Sequence, residues 1–311
     1  MEYAVAGANG LVGSALMRKL TKSDYKVHPL TRKEIDFESE IETEILLKRL
    51  SPKVLIDAAA RVGGIEINDT RPVDFINANL SIQSNLMKAA HISGVEKFVF
   101  LLSSCVYPKF APQPIKETDL MTGWLEPTNS AYAMAKLVGY EQVRSYRKQY
   151  GYNWISVMPT SIYGLNDNFR NSEAHVIPSL IRRFSESVIQ ESRTIQIWGD
   201  GSQKRDFLYS DDLAEAILDL VQVYNEPEII NIGSGCEISI KELAFMLKEI
   251  SGFQGQIIWD SDKPSGTPRK ILDNTKLSER ISWKPRIDLY DGLRNTYTWF
   301  HENPNAEGVR K

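Results

Sequence analysis

The sequence predicts an α/β protein: a doubly wound parallel sheet joined to a smaller α/β domain toward the C-terminus. Three observations carry that expectation. Short apolar runs alternate with helix-period segments through the first half. A glycine-rich turn, GANGLVG, follows the first run directly. After Gly164 the character changes to polar loops and short strands.

In chain order, YAVAG from Tyr3 reads as a buried strand and LVGSALMRKL from Leu11 as the helix that follows it. KVHPL, KVLIDAAA and KFVFLLS supply further strands, with FINANLSIQSNLMKAAHIS the helix between the last two. After Ala131, YAMAKLVGYEQVRSYRKQY is strongly helical, and WISVMP returns to the same sheet. Beyond Gly164 come GLNDNFRNSEA, the strand IQIWG and the loop DKPSGTPRK. DFLYSDDLAEAILDLVQ and IINIGSG read as a helix and a strand returning to the first domain. The expected division is residues 1–163 with 207–235 for a Rossmann-type dinucleotide domain, and 164–206 with 236–311 for a substrate domain. The termini are the candidates for disorder, chiefly the tail HENPNAEGVRK.

A chain of 311 residues with 42% hydrophobic content can bury a sizeable core. Its net charge of −3 and pI near 5.9 argue against a nucleic-acid or membrane-surface binder, so an anionic ligand must be met by local Lys and Arg. Cys105 and Cys236 are the only cysteines, and the N-terminus lacks the pattern of a signal peptide. A reducing cytoplasm is the expected setting. No metal ligand set is assigned.

Gly7, Gly10 and Gly13, with Asn9, Leu11 and Val12 between them, form the turn between the first strand and its helix. Glycine lets backbone N–H groups approach a pyrophosphate at a helix N-terminus, where the helix dipole favours negative charge. The spacing is GxxGxxG; tight strand–helix packing is the plainer account, and the position at the first strand end favours a dinucleotide. At the end of the second strand stands Arg32, followed by Lys33, where NAD sites usually carry an acid. A guanidinium there suits the 2′-phosphate of NADP, against the alternative of a solvated surface arginine.

Tyr132 and Lys136 are four residues apart and share a helix face. An ammonium beside a phenol is expected to lower its pKa and make it a usable proton donor to a carbonyl receiving hydride. Ser103 or Ser104, at the end of an apolar strand, can donate to the same oxygen. Cys105 goes beyond hydride transfer: a thiolate can remove a proton from carbon next to a ketone. A buried small hydrophobe is the plainer account of it.

The glycine turn, strand-end serine and YxxxK in this order resemble the extended short-chain dehydrogenase/reductase superfamily. AARVGGI (Ala59–Ile65), SSCVYPK (Ser103–Lys109), LEPTNSAYAMAK (Leu125–Lys136), MPTSIYG (Met158–Gly164), NSEAHVIP and GTPRK (Gly266–Lys270) are similar, more narrowly, to the GDP-L-fucose synthase family. That resemblance spans nearly the whole chain. It implies a homodimer that epimerises a GDP-4-keto-6-deoxy sugar at carbons 3 and 5 and reduces carbon 4 with NADPH.

Carried onto this chain, the resemblance makes Ser103 the catalytic serine, Cys105 the base and His175 the acid on the other sugar face. Tyr132 and Lys136 assist both reactions. It places the cofactor against Ala59, Ala60, Ser103, Tyr132, Lys136, Pro159, Thr160, Ser161, Ile162 and His175. For the GDP-sugar it implies Arg183, Trp198 and Arg205, with Lys204 and Arg269 further candidate cations for its pyrophosphate. Ser265 stands where the bacterial pattern commonly has an Asp at the nucleotide end, and Asn9 where some members carry a basic residue. The alternatives are a related reductase of another GDP-4-keto-deoxy sugar or heptose, and an NADP-sensing regulator on the same fold. A 4,6-dehydratase is disfavoured because Cys105 and Val106 replace the acidic residues usual after the strand-end hydroxyl.

Overall fold

The computed structural model describes residues 1–170, 173–262, 267–306 and 308–309. The first strand, β1 (Glu2–Ala6), leads through the glycine turn into α1 (Leu11–Leu20) and then β2 (Lys26–Leu30). The chain continues through α2 (Glu40–Leu50), β3 (Val54–Asp57), α3 (Ile65–Thr70), α4 (Pro72–Ile92), β4 (Lys97–Leu101), α5 (Ser130–Tyr150) and β5 (Ile155–Pro159). All of β1, β3, β4 and β5 are apolar runs buried on both faces, as a strand between two helical layers must be. β2 lies at the sheet edge and is only partly buried.

A short β6 (Ser161–Tyr163) then leaves this sheet, followed by α6 (Val176–Ile189), β7 (Thr194–Trp198), β8 (Lys204–Tyr209), α7 (Ser210–Val223) and β9 (Ile230–Ile232). The main sheet has six parallel strands in the order β2-β1-β3-β4-β5-β9. Strand order reverses between β1 and β3, so the ligand crevice of a doubly wound sheet lies at the carboxyl ends of those two strands. One face is covered by α2, α4 and α5 over Leu86, Phe98 and Phe100; the other by α1 and α7 over Leu16, Leu213 and Ile217. Each of these side chains is almost wholly removed from water and stabilises the fold by roughly 1.5–3 kcal/mol.

The smaller lobe adds β10 (Glu237–Ser239), α8 (Ile240–Ser251), β11 (Gln256–Asp260), β12 (Arg269–Lys270), α9 (Thr275–Arg280) and α10 (Leu289–Glu302). β10, β8 and β12 form one sheet with β6 on β8, and β7 pairs β11. Its own core holds Phe169, Phe184, Leu243 and Leu293. Leu277, Ile281 and Trp283 pack instead with the α1–α7 face of the main sheet. Within the C-terminal tail, the described residues 301–306 and 308–309 are placed against the smaller lobe. Val309 is buried in the smaller core and its carbonyl accepts from the buried Arg182 guanidinium.

One polar hub fixes the loop after β4. Asn231 on β9 accepts from the Tyr107 hydroxyl at 2.6 Å, donates its side-chain amide to the Ile115 and Asp273 carbonyls, and donates its backbone N–H to Glu117. Each such bond contributes about 1 kcal/mol, and a buried partner left unpaired costs more. The hub therefore ties the segment that follows Cys105 to both the sheet and the C-terminal region. Among the described residues no helix is long and apolar enough to cross a membrane.

Candidate active site

The crevice begins at Gly7, whose φ of +76° is left-handed and whose added Cβ would meet the Ala58 carbonyl oxygen at 2.6 Å. Only glycine fits that approach. Gly10 enters α1 in extended conformation with no side-chain cap, so the first-turn N–H groups, from Leu11, Val12 and Gly13, are offered to a ligand. Asn9 is exposed on the crest of the turn. Across the crevice, Arg32 stands exposed past β2 and donates to the Ala60 carbonyl at 3.2 Å, while Ala59 N–H is held by Asp57 at 3.1 Å. A backbone cradle that a Cβ would fill, an uncapped helix start and a guanidinium at the β2 end fit a dinucleotide with an extra phosphate.

The strand-end chemistry is gathered by β4 and the start of α5. Ser103 is extended, and its Oγ accepts from the Cys105 N–H at 3.4 Å as the cap of a single turn over Ser104–Val106. Ser104 is buried in that turn. Tyr132, in the first turn of α5, hydrogen-bonds Ser103 and rests edge-on against Phe75. One turn on, Lys136 is buried over the Phe100 ring and donates to the Leu101 carbonyl at 3.0 Å.

The expected depression of the Tyr132 pKa is reversed. Burial, then the neighbouring Cys105, push the phenol up, and the Ser103 hydrogen bond only partly opposes them. Helical spacing brings Lys136 to the right face, but its ammonium turns back to Leu101 O, and its charge is felt by Asp57 instead. Burial pushes Asp57 up to about 6, with Lys136 opposing; burial lowers Lys136, with Asp57 opposing. One oxygen of Asp57 has no hydrogen-bond partner.

Around the sulfur stand two donors that the sequence reading did not single out. Asn129, just before α5, donates its amide to Cys105 Sγ at 3.3 Å, and Lys270 on β12 donates at 3.9 Å. Strand alternation explains the second. The register pairs Arg269 with Lys204 and Lys270 with Arg205, so the first pair faces solvent, where both bind Glu237 at 2.7 and 3.1 Å, and the second pair faces the cleft. Cys105 interacts with the Arg205 guanidinium, which also donates to Lys204 O. Arg269 borders the small cavity at Cys105 while its guanidinium serves Glu237.

His175 immediately precedes α6 and its ring does not cap the helix. It is exposed at the cleft surface yet crowded by protein on its flanks; that desolvation, then the Lys270 ammonium, hold it below the usual histidine value. Its approach is set by AARVGGI, because Gly64 N–H donates to Glu173 O at 2.8 Å and a Gly64 Cβ would meet Ala174 O at 2.6 Å. Gly64→Ala must push the His175 segment outward. It is expected to slow any reaction that uses His175 by ~10-fold or more while leaving the melting temperature within a few degrees, read by steady-state kinetics and thermal unfolding.

The remaining predicted residues lie on the rim. Pro159 ends β5, Thr160 is buried and donates to Asp206 O at 3.0 Å, and Ser161 and Ile162 begin β6, where the main sheet hands over to the smaller lobe. Arg183 lies two turns along α6 from His175, half-buried. Trp198 ends β7 with 47% of its surface exposed. Ser265 falls outside the described residues. The structure thus brings Ser103, Cys105, Tyr132 and Arg205 together, while the Arg269 guanidinium is engaged by Glu237. No group of three or more His, Cys, Asp or Glu among the described residues could hold a metal ion.

The chain is similar to several known proteins over nearly its whole length. GDP-L-fucose synthase 1 of Arabidopsis thaliana is 48% identical over 300 residues, covering 96% of this chain and 93% of that protein. A Naegleria fowleri GDP-L-fucose synthetase solved with NADP superposes with a TM-score of 0.89 at 28% identity, covering 97% of this chain and 93% of the other. A GDP-6-OMe-4-keto-L-xylo-heptose reductase from C. jejuni superposes at 0.91 and 29% identity, covering 97% and 98%. The model of the NAD dependent epimerase/dehydratase family matches residues 3–233, from β1 through β9 and its following turn. With its glycine cradle, strand-end hydroxyl and YxxxK helix on one parallel sheet, the chain belongs to the NAD dependent epimerase/dehydratase family.

Proposed function

We propose that the protein is a GDP-L-fucose synthase, converting GDP-4-keto-6-deoxy-D-mannose to GDP-L-fucose by epimerisation at carbons 3 and 5 and NADPH-dependent reduction at carbon 4. The observation that carries this reading is the Cys105 thiol, held by Asn129 and Lys270 beside the Ser103–Tyr132 pair. A reductase alone has no use for it. Bound NADPH supplies the hydride for carbon 4. Gly7, Gly10 and Gly13 with the α1 N-terminus would hold its pyrophosphate, Arg32 its 2′-phosphate, and Lys136 its nicotinamide ribose.

In the epimerisation the Cys105 thiolate removes a proton from carbon 3 or 5, Ser103 and Tyr132 stabilise the enolate oxygen, and His175 returns a proton from the opposite face. Inversion needs groups on both faces, and Cys105, in the turn after β4, and His175, at the start of α6, belong to different segments of the chain. In the reduction Tyr132 gives its proton to the oxygen at carbon 4, with Ser103 as second donor. Arg183 and Arg205 supply cations for the GDP pyrophosphate, and Trp198 packs on the sugar nucleotide. Residues 1–163 with 207–235 form the cofactor domain and 164–206 with 236–311 the substrate domain. A homodimer fits the exposed apolar residues Val73 and Ile92 on α4 and Met134, Val138 and Tyr150 on α5, and the cytoplasm is the proposed setting.

The test is incubation with GDP-4-keto-6-deoxy-D-mannose and NADPH in deuterated water. GDP-L-fucose carrying deuterium at carbons 3 and 5 is expected. Reduction without deuterium at either carbon overturns the epimerase half. A second reading, a reductase of a GDP-4-keto heptose, is favoured by the likeness to the C. jejuni heptose reductase, and NADPH oxidation with such a heptose but not with the deoxymannose sugar would select it.

A further inference from the structure

We propose that Lys270 is a positioning residue for the epimerisation: its ammonium is the standing counter-ion of the Cys105 thiolate. The inference deepens the reading above and rests on it for the identity of the carbon acid. The geometry comes from three separate elements. β12 delivers the Lys270 ammonium to 3.9 Å from Sγ, the residue before α5 delivers the Asn129 amide to 3.3 Å, and the turn after β4 presents the sulfur itself. The Asn129 carbonyl oxygen is buried without a partner, so this amide is committed to the sulfur through its N–H side.

The other charged and titratable groups near the sulfur do not fill the same place. Tyr132 is neutral, Arg205 donates a guanidinium N–H to the Lys204 carbonyl at 2.8 Å, and Lys109, on the rim of the same cavity, is paired with Glu126 at 3.0 Å. Lys270 also faces His175, where its charge opposes protonation. The reacting state needs both a thiolate and an imidazolium, and a fixed cation at the sulfur favours the thiolate without drawing on the proton of His175.

The proton inventory then closes without Lys270 changing its own state. The carbon–hydrogen bond breaks, its proton forms S–H, and its electron pair passes into the adjacent carbonyl as enolate. His175, charged by a solvent proton, gives its N–H proton to the opposite face, and the enolate pair forms the new carbon–hydrogen bond. The thiol loses its proton to solvent and the neutral imidazole gains one, restoring the start.

The test uses the full chain with Cys236→Ser, which leaves Cys105 as the single thiol. Iodoacetamide alkylation is followed from about pH 5 to about pH 9, a range that brackets thiol ionisation. Lys270→Met is expected to slow alkylation near neutral pH by ~10- to 100-fold and move its profile to higher pH. Lys270→Gln, which keeps a donor without the charge, should match it, and Lys270→Arg should restore most of the rate. Deuterium wash-in from the keto sugar should fall in parallel through kcat, with both limbs of its pH profile moved upward: the acid limb set by the thiol and the alkaline limb by the imidazolium. A structural role would lower the profile without moving it. Unshifted alkylation in both the Met and Gln variants overturns the inference whatever the exchange shows. Shifted alkylation with no wash-in in the parent protein leaves Lys270 in place and overturns the substrate reading instead.

Discussion

Cys105→Ser is expected to lower deuterium wash-in at carbons 3 and 5 by ~10³-fold or more, in line with the loss of a positioned general base, while leaving NADPH affinity unchanged. Serine nearly matches the thiol in size, and Cys105 is half-buried at the edge of the main core, so packing changes little. Asn129 and Lys270 can donate to a hydroxyl as they do to sulfur. What serine lacks is an accessible anion: an alkoxide forms far above neutral pH, even beside an ammonium. The cofactor cradle at Gly7 is built by β1, β2 and β3 and does not depend on the sulfur. NMR of the sugar product and fluorescence titration of NADPH read the two arms separately. Lost cofactor binding with folding intact would mean that the thiol supports the crevice and is not the base.

The parallel sheet was legible because strands covered on both faces must be apolar throughout. VLID and KFVFL are buried at every position, including the carboxylate of Asp57, so no outward residues interrupt the run. α2 was missed for the opposite reason. EIETEILLKRL buries only Thr43 and Leu47, and its exposed Ile41 and Ile45 blur the apolar stripe that periodicity would detect. In the smaller lobe, β6, β10 and β12 are two or three residues long, too short to display any period. The tail looked disordered by composition, yet a single docked valine and the Arg182 hydrogen bond to its carbonyl hold its described end.

The site divides along the same line. Ser103 and Cys105 share one strand end, and Tyr132 and Lys136 one helix face, so local spacing reveals them. Lys270 reaches the sulfur across a separation of 165 residues, through a register that pairs it with Arg205 in a two-residue strand. Alternation within RK and KR is the signal that could have found it. GTPRK was visible as a motif, but which of its two cations turns inward depends on the strand partner.

Tyr132→Phe is expected to cut NADPH-dependent reduction by ~10³-fold, at the middle of the range for losing a positioned proton donor, with cofactor binding retained. The ring keeps its edge-on contact with Phe75, and the deleted hydroxyl leaves Ser103 short of one partner, a cost of roughly 1–3 kcal/mol that a domain of this size can absorb. The sign of the pH dependence follows from burial. A phenol pushed above its ordinary value of about 10 stays protonated through neutral and mildly alkaline conditions, so the acid form is present wherever the enzyme is tested. Reduction should therefore show no alkaline limb from Tyr132 until above about pH 10. Ser103→Ala, which removes the hydrogen bond that favours phenolate, should leave that limb in place or move it higher. A limb below about pH 9 that disappears in Tyr132→Phe would show that Lys136, when the site is filled, swings from Leu101 to the phenol and overrides burial. The contest is between desolvation, which acts on the phenol from every side, and an ammonium already hydrogen-bonded elsewhere, and the first of these sets the resting state.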